Sequence, residues 1–224
     1  MSTINKNLLA LRKEIEKTGR SDVELVAVTK TRSLPDLIEL FKAGVRHVGE
    51  NRLEEIALKF QDGFLRSAYP NLRLHLIGHL QRRRVADAIS LCDTIDSVDS
   101  IRLAESISRR AAVAKKTMYI MLEVNVSGEV QKYGFTPEEI IPAAKEIVKL
   151  PNLRVYGLMC MAPLTDDEDL IRNVFKGLAQ LRDEIVKNEE LKNCQALSMG
   201  MSHDYKIALE CGSNYLRVGS LLFQ

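Results

Sequence analysis

Leu25-Val26-Ala27-Val28-Thr29-Lys30-Thr31-Arg32-Ser33-Leu34-Pro35-Asp36-Leu37-Ile38-Glu39-Leu40-Phe41-Lys42-Ala43-Gly44-Val45-Arg46-His47-Val48-Gly49 is the stretch that decides the fold. Leu25–Thr29 is short and unbroken in apolar character, as a strand buried on both faces requires. Thr31-Arg32-Ser33-Leu34-Pro35 then starts a helix, which runs over Leu34–Ala43 and is closed by Gly44. A very short strand follows at Arg46–Gly49. Strand, crossover helix and strand make a parallel unit.

The same unit recurs outward from here. Ahead of it, about Ile4 to Lys17, apolar Ile4, Leu8, Leu9, Leu11 and Ile15 sit among charges as on an amphipathic helix. Behind it, strands are expected at Leu72–Gly78, Thr94–Val98, Met118–Val126 (the longest), Arg154–Met159, Ala196–Met199 and Tyr215–Val218. Helices are expected at Arg52–Leu65, Gln81–Leu91, Ile101–Ala114, Pro137–Lys149, Asp167–Lys187 and His203–Glu210. Every strand but the last is followed by a helix. Strict alternation argues for an α/β fold, and eight strands close into a single (β/α)8 barrel with an extra N-terminal helix. An open doubly wound sheet is the alternative, disfavoured by the unit count and short connections.

At 224 residues, 46% hydrophobic and 28% charged, the chain suits one globular domain over residues 1–224. A net charge of +2 gives no electrostatic footprint for nucleic acid. Cys92, Cys160, Cys194 and Cys211 form no CxxC pair, and His47, His75, His79 and His203 have no metal-ligand spacing, so no metal is expected. The thiols read as buried groups in a reducing compartment. Met1–Asn7 is unlike a signal peptide, and no apolar run approaches the ~20 residues of a membrane span. A cytoplasmic location is expected.

In a barrel the residues just past each strand's C-terminal end face the active-site mouth. Those positions hold Lys30 and Thr31, Glu50 and Asn51, Gly78 and His79, Asn125, Met161, Ser202 and Gly219; Lys30 is the only lysine directly at a strand end. It shares parity with Val26 and Val28, which places its amine at the edge of a core, partly desolvated and so a better nucleophile. A random lysine capping a strand is usually only solvated. Ser198-Met199-Gly200-Met201-Ser202 precedes a helix start, and Arg217-Val218-Gly219-Ser220 makes another small-residue turn; both suit an anion. Either turn alone is commonplace. A nucleophilic lysine with a phosphate cradle points to pyridoxal 5′-phosphate (PLP), whose aldehyde and phosphate need those two partners. Asn51 is a candidate cap for the next helix, and Arg82-Arg83-Arg84 is more often a solvated cluster than an RNA or phosphate site.

Taken together these pieces resemble the YggS/PROSC family of PLP homeostasis proteins along nearly the whole chain. The resemblance rests on Leu25–Thr31, Gly49-Glu50-Asn51-Arg52 and His75–Gln81. It continues through Val124-Asn125-Val126-Ser127 with Lys132 and Gly134, Gly157-Leu158-Met159 with Met161 and Pro163, Leu197–Asp204 and Arg217-Val218-Gly219. It implies a barrel like the N-terminal domain of alanine racemase and an imine (Schiff base) between PLP and Lys30. It further implies phosphate held by Ser202, Gly219, Ser220 and Ser198, with Arg217 near the pyridine nitrogen, Asn51 near the ring, and Asn125 and Met159 lining the pocket. Arg83-Arg84 stands where the family usually has Asn-Lys. The chain ends at Phe223-Gln224 where relatives commonly continue, so the last strand is expected to be less well covered.

A cationic Arg217 beside the ring nitrogen opposes its protonation and weakens the electron sink, and no second acid/base group is evident. The expectation is therefore a carrier without strong catalytic activity that buffers or delivers PLP in vitamin B6 homeostasis. PLP-dependent apo-enzymes are its expected recipients, and the chain is expected to be a monomer without membrane or nucleic-acid partners. The alternative is a low-activity PLP-dependent amino-acid racemase.

Overall fold

The computed structural model describes residues 2–224. Helix α1, Thr3–Glu16, is capped by the Ser2 hydroxyl, which accepts from the Asn5 N–H, and it buries Ile4, Leu8 and Leu11. Then come β1 Glu24–Val28, α2 Leu34–Lys42, β2 His47–Glu50, α3 Leu53–Phe60, α4 Phe64–Ala68 and β3 Arg73–Leu76. A 3-10 turn at Arg82–Arg84 leads into α5 Val85–Leu91, β4 Thr94–Val98, α6 Ile101–Val113 and β5 Met118–Glu123. The chain continues with α7 Ile140–Ile147, β6 Leu153–Met159, α8 Glu168–Ile185, a 3-10 turn Glu189–Leu191, β7 Ala196–Ser198, α9 Tyr205–Glu210, β8 Tyr215–Val218 and α10 Ser220–Phe223.

The strands pair in chain order, all parallel, and β8 closes on β1 with Ala27 beside Val218. This is the expected (β/α)8 barrel with its extra helix. Four expectations are corrected. The longest strand is β6, because β5 ends at Glu123, where Val124 pairs instead with Phe135 of its own loop. The helix expected over Arg52–Leu65 is two helices, interrupted at Gly63 with φ +75°. Asn51 does not cap α3, whose N-cap is Arg52 without a side-chain bond. Finally, β8 is followed by a helix, and Leu216, Arg217 and Val218 are buried. Asn7 of α1 holds that helix, its side-chain amide donating to the carbonyls of Leu222 (3.3 Å) and Gln224 (2.8 Å).

The main apolar core lies between sheet and helices, formed by outward strand residues such as Ala27, Val48, Leu74 and Ile95 with Leu37, Phe41, Ile56 and Leu103. Inside the barrel Met121, Met159 and Ala196 form a small apolar cluster, flanked by Tyr156 and Tyr215. The interior also buries polar groups: His75, Asp96, Glu123, Ser198 and Arg217. Burying such groups is unfavourable unless each finds a partner, so the interior is a place to look for chemistry.

Candidate functional site

Lys30 stands in the turn after β1, and its side chain is exposed rather than partly desolvated. The turn after the strand lifts it clear of the barrel wall that Val26 joins. Its neighbours are held firmly. The Thr29 hydroxyl donates to Glu50 Oε1 (2.6 Å), and Lys59 Nζ donates to the Thr29 carbonyl (2.8 Å), to Glu50 Oε1 (2.7 Å) and to Glu55 Oε2 (2.7 Å). Glu55 Oε2 also accepts from the Thr31 N–H (3.2 Å). Thr31 has φ +61°, a conformation β-branched residues rarely adopt. The lysine therefore projects from a backbone clamped on both sides by one buried ammonium and two carboxylates.

Across the β1–β8 seam is the second half of the site. A side chain at Gly219 would meet Val28 Cβ at 3.3 Å, so this turn lies against the strand that ends two residues before Lys30. The Gly219 and Leu221 N–H groups both donate to Ser202 Oγ (3.3 and 3.2 Å). Two convergent N–H donors beside a hydroxyl form a ready anion cradle, with Ser220 exposed at its edge. Arg32 stacks over the Phe223 ring at 4.4 Å, tying the Lys30 turn to the cradle helix. Gly200, φ +92°, lets β7 turn toward Ser202; a Cβ there would sit 2.5 Å from Ala208 Cβ.

Arg217 reaches inward from β8 and is buried, its Nη1 donating to Ser198 Oγ (2.6 Å) and Nη2 to the Cys160 carbonyl (2.8 Å). Ser198 is thus the arginine's partner, apart from the Ser202 cradle. Burial lowers the Arg217 pKa, opposed by Asp96, Asp204 and Glu123, and a guanidinium remains protonated regardless. Glu123 and Met159 are adjacent across β5 and β6, and Met159 is adjacent to Ser198 across β6 and β7. Burial first, then Asp99, pushes the Glu123 carboxyl up to about 7, with Arg217 pulling the other way. The Cys160 thiol is pushed up to about 12 by burial and is no nucleophile.

The remaining expected residues lie around the rim. Asn51 is exposed after β2, its backbone packed against Gly78, where a Cβ would overlap it. The Asn125 amide is spent on its own loop, donating to the Glu129 carbonyl (2.9 Å) and accepting from Ser127 (3.2 Å). Arg84 is neutralised by Glu54 and Asp87.

Sequence reasoning missed Lys59, Glu55 and Glu123. The i,i+4 pair Glu55–Lys59 and a carboxylate ending the apolar strand Met118–Glu123 were the available signals. Nothing in the sequence marks the Leu221 N–H.

A clamped lysine and a two-amide cradle meet on adjacent strands of a parallel barrel, and comparison with known proteins defines the class. The family model described as alanine racemase, N-terminal domain, matches residues 1–224, and the chain belongs to that family. Alanine racemase from Clostridium difficile 630 shares its fold, with TM-score 0.79 at 18% identity over 99% of this chain and 56% of that one. Within the family the chain groups with the pyridoxal phosphate homeostasis proteins: that of Aquifex aeolicus is 33% identical over 98% of this chain and 95% of its own. The structure of PipY from Synechococcus elongatus with PLP bound superposes with TM-score 0.87 at 30% identity, covering 99% of this chain and all of that one.

Proposed function

We propose that this protein binds PLP and buffers or delivers it, with Lys30 as the amine that holds the cofactor. The observation that carries this is the meeting of Lys30 with the Ser202–Gly219–Leu221 cradle across the β1–β8 seam. The residues fit the group: the cradle offers two N–H donors already converging on one oxygen, and the lysine is free to reach an aldehyde. Bound there, PLP supplies a carbonyl carbon that a primary amine takes up reversibly.

Ser202, Gly219 and Ser220 hold the phosphate, Asn51 lies on the ring side, and Met159 and Asn125 bound the pocket. Ser198 contributes by fixing Arg217, which is assigned to the ring-nitrogen end. A permanent cation there disfavours protonation of a basic nitrogen, which supports storage over turnover. Reversible capture at one clamped lysine keeps a reactive aldehyde from other amines while leaving it available to an apo-enzyme.

The test is an absorption spectrum with PLP before and after borohydride reduction, followed by peptide mapping. A single label on Lys30, absent in Lys30→Ala, is expected; label scattered over surface lysines overturns the assignment. Delivery is tested by transfer to a PLP-dependent apo-enzyme, expected to outpace release into solution. Lys30-dependent exchange of an amino acid's α-proton in deuterated water would instead make the protein a racemase.

A further inference from the structure

The other end of the barrel holds a cavity of about 410 Å³. Its lining comes from residues at or near the strands' N-terminal ends: Tyr119 of β5, Tyr215 of β8, His47 of β2 and Arg73 of β3, with His75 and Tyr156 one layer deeper. Lys30, Ser202 and Gly219 lie past the opposite, C-terminal ends of β1, β7 and β8, so the proposed cofactor site does not account for this space. A floor serving stability alone would be closed by apolar packing at interior density. This one is open, aromatic and polar.

Its walls are ring systems set edge to face. Tyr156 meets Tyr215 at 6.0 Å and 69°, and Tyr119 at 6.3 Å and 73°, while His47 meets Tyr215 at 5.9 Å and 77°. A hydrogen-bonded chain runs along one wall from His47 Nδ1 to His75 Nε2 (2.8 Å) and from His75 Nδ1 to Asp96 Oδ2 (2.8 Å). The Tyr156 hydroxyl (2.8 Å) and the Thr94 hydroxyl (2.9 Å) donate to Asp96 Oδ1, so the buried carboxylate is fully satisfied and rigidly placed. Burial, reinforced by His75, pushes His47 down to about 4, and a neutral imidazole remains at the cavity wall.

Charge at the rim is uneven. Asp93 is paired with Arg66, and Lys116 Nζ is spent on the carbonyls of Ile89 (2.8 Å) and Cys92 (2.7 Å). Arg73 is exposed and has no hydrogen-bond or carboxylate partner among the described residues. A planar ring between tyrosine and imidazole faces, with its anionic end on an unpaired guanidinium, satisfies both halves of this lining. A space of this volume lies within the range of small-molecule sites.

We propose that this cavity is a second ligand site, taking a small aromatic carboxylate whose ring enters the Tyr119–Tyr156–Tyr215 space and whose carboxylate pairs with Arg73. Of the strands that line it, β8 also forms one side of the β1–β8 seam that leads to the cofactor turn.

The chain has four histidines, two at this cavity and two, His79 and His203, at the other end, so their imidazole NMR signals report which end is occupied. PLP-loaded full-length protein is titrated with 4-hydroxybenzoate, with signals assigned through His79→Gln and His203→Gln. Saturable shifts of the His47 and His75 signals are expected, with those of His79 and His203 unmoved. Arg73→Ala, a surface change, should weaken binding about tenfold or more, as loss of a charge-assisted pair does. Tyr119→Leu should also weaken it, and the uncharged 4-hydroxybenzamide should bind more weakly than the acid. No saturation, shifts confined to His79 and His203, or equal affinity for acid and amide would each overturn the proposal. Equal affinity of wild type and Arg73→Ala would do the same. Failure of PLP to label Lys30 would leave these outcomes untouched, so the two readings fail separately.

Discussion

At the scale of single residues, the most consequential side chain after Lys30 is Lys59. Its ammonium is 8% exposed, it bonds Glu50, which is 1% exposed, and it holds the Thr29 carbonyl one residue before Lys30. Lys59→Met leaves that carboxylate buried without its cation, and removing one partner of a buried pair typically costs ~3–5 kcal/mol. Urea unfolding should register that loss, and Lys59→Met with Glu50→Gln should recover part of it. The same variant should slow borohydride-trappable capture of PLP at Lys30, because the backbone clamp is gone.

Glu123 gives a prediction of opposite sign. Its folded pKa of about 7 lies above the ordinary carboxylate value of 4.5, so the folded state binds the extra proton between those pH values. Stability from this group is fully present below about 4.5 and falls as pH rises toward 7. Glu123→Gln should therefore match wild type at pH ~4 and exceed it by ~1–3 kcal/mol at pH ~8 in urea midpoints. A difference that does not change with pH would refute the buried-carboxyl account.

At the scale of elements, the cradle is made where β7, β8 and the short α10 converge, and two devices hold that convergence. Gly200 supplies the left-handed turn; Gly200→Ala adds a Cβ 2.5 Å from Ala208 and strains φ +92°. A destabilisation of ~1–3 kcal/mol is expected, with weaker phosphate retention at Ser202. Asn7 pins α10 from the far end of the chain. Asn7→Ala should lower PLP affinity while leaving the circular-dichroism spectrum unchanged, since α1 keeps Ile4, Leu8 and Leu11 buried. Intact PLP affinity in this variant would show that α10 holds its place without that link.

At the scale of the whole molecule, ligand binding and folding are linked because the site straddles the seam that closes the barrel. PLP at about 100 times its dissociation constant should stabilise the fold by ~2.7 kcal/mol, an upward shift of ~5–10 °C for a chain of this size. Lys30→Ala should retain a smaller shift, because that substitution leaves the proposed phosphate cradle untouched. Differential scanning fluorimetry at fixed protein concentration would show it, and no shift in either protein would count against binding at the seam.

The sequence by itself determined the order and type of the elements, apart from the break at Gly63 and the last helix. Apolar runs alternating with amphipathic stretches specify eight parallel strands and their helices, because each period leaves only one way to bury its apolar face. It also singled out Lys30, Ser202 and Gly219 as candidates, since strand ends and small-residue turns are local features. What it left open depended on contacts between distant segments. The exposure of Lys30 follows from where its turn leaves the wall, and the clamp on that turn joins residues 21 to 30 positions apart. The Leu221 amide reaches Ser202 only because the barrel closes and α10 folds back onto α1. The buried chain from His47 through His75 and Asp96 to Tyr156 draws on four different strands. Tertiary structure alone decided these, because side-chain pairing inside a barrel is set by strand register around the closed sheet, and no local sequence pattern encodes it.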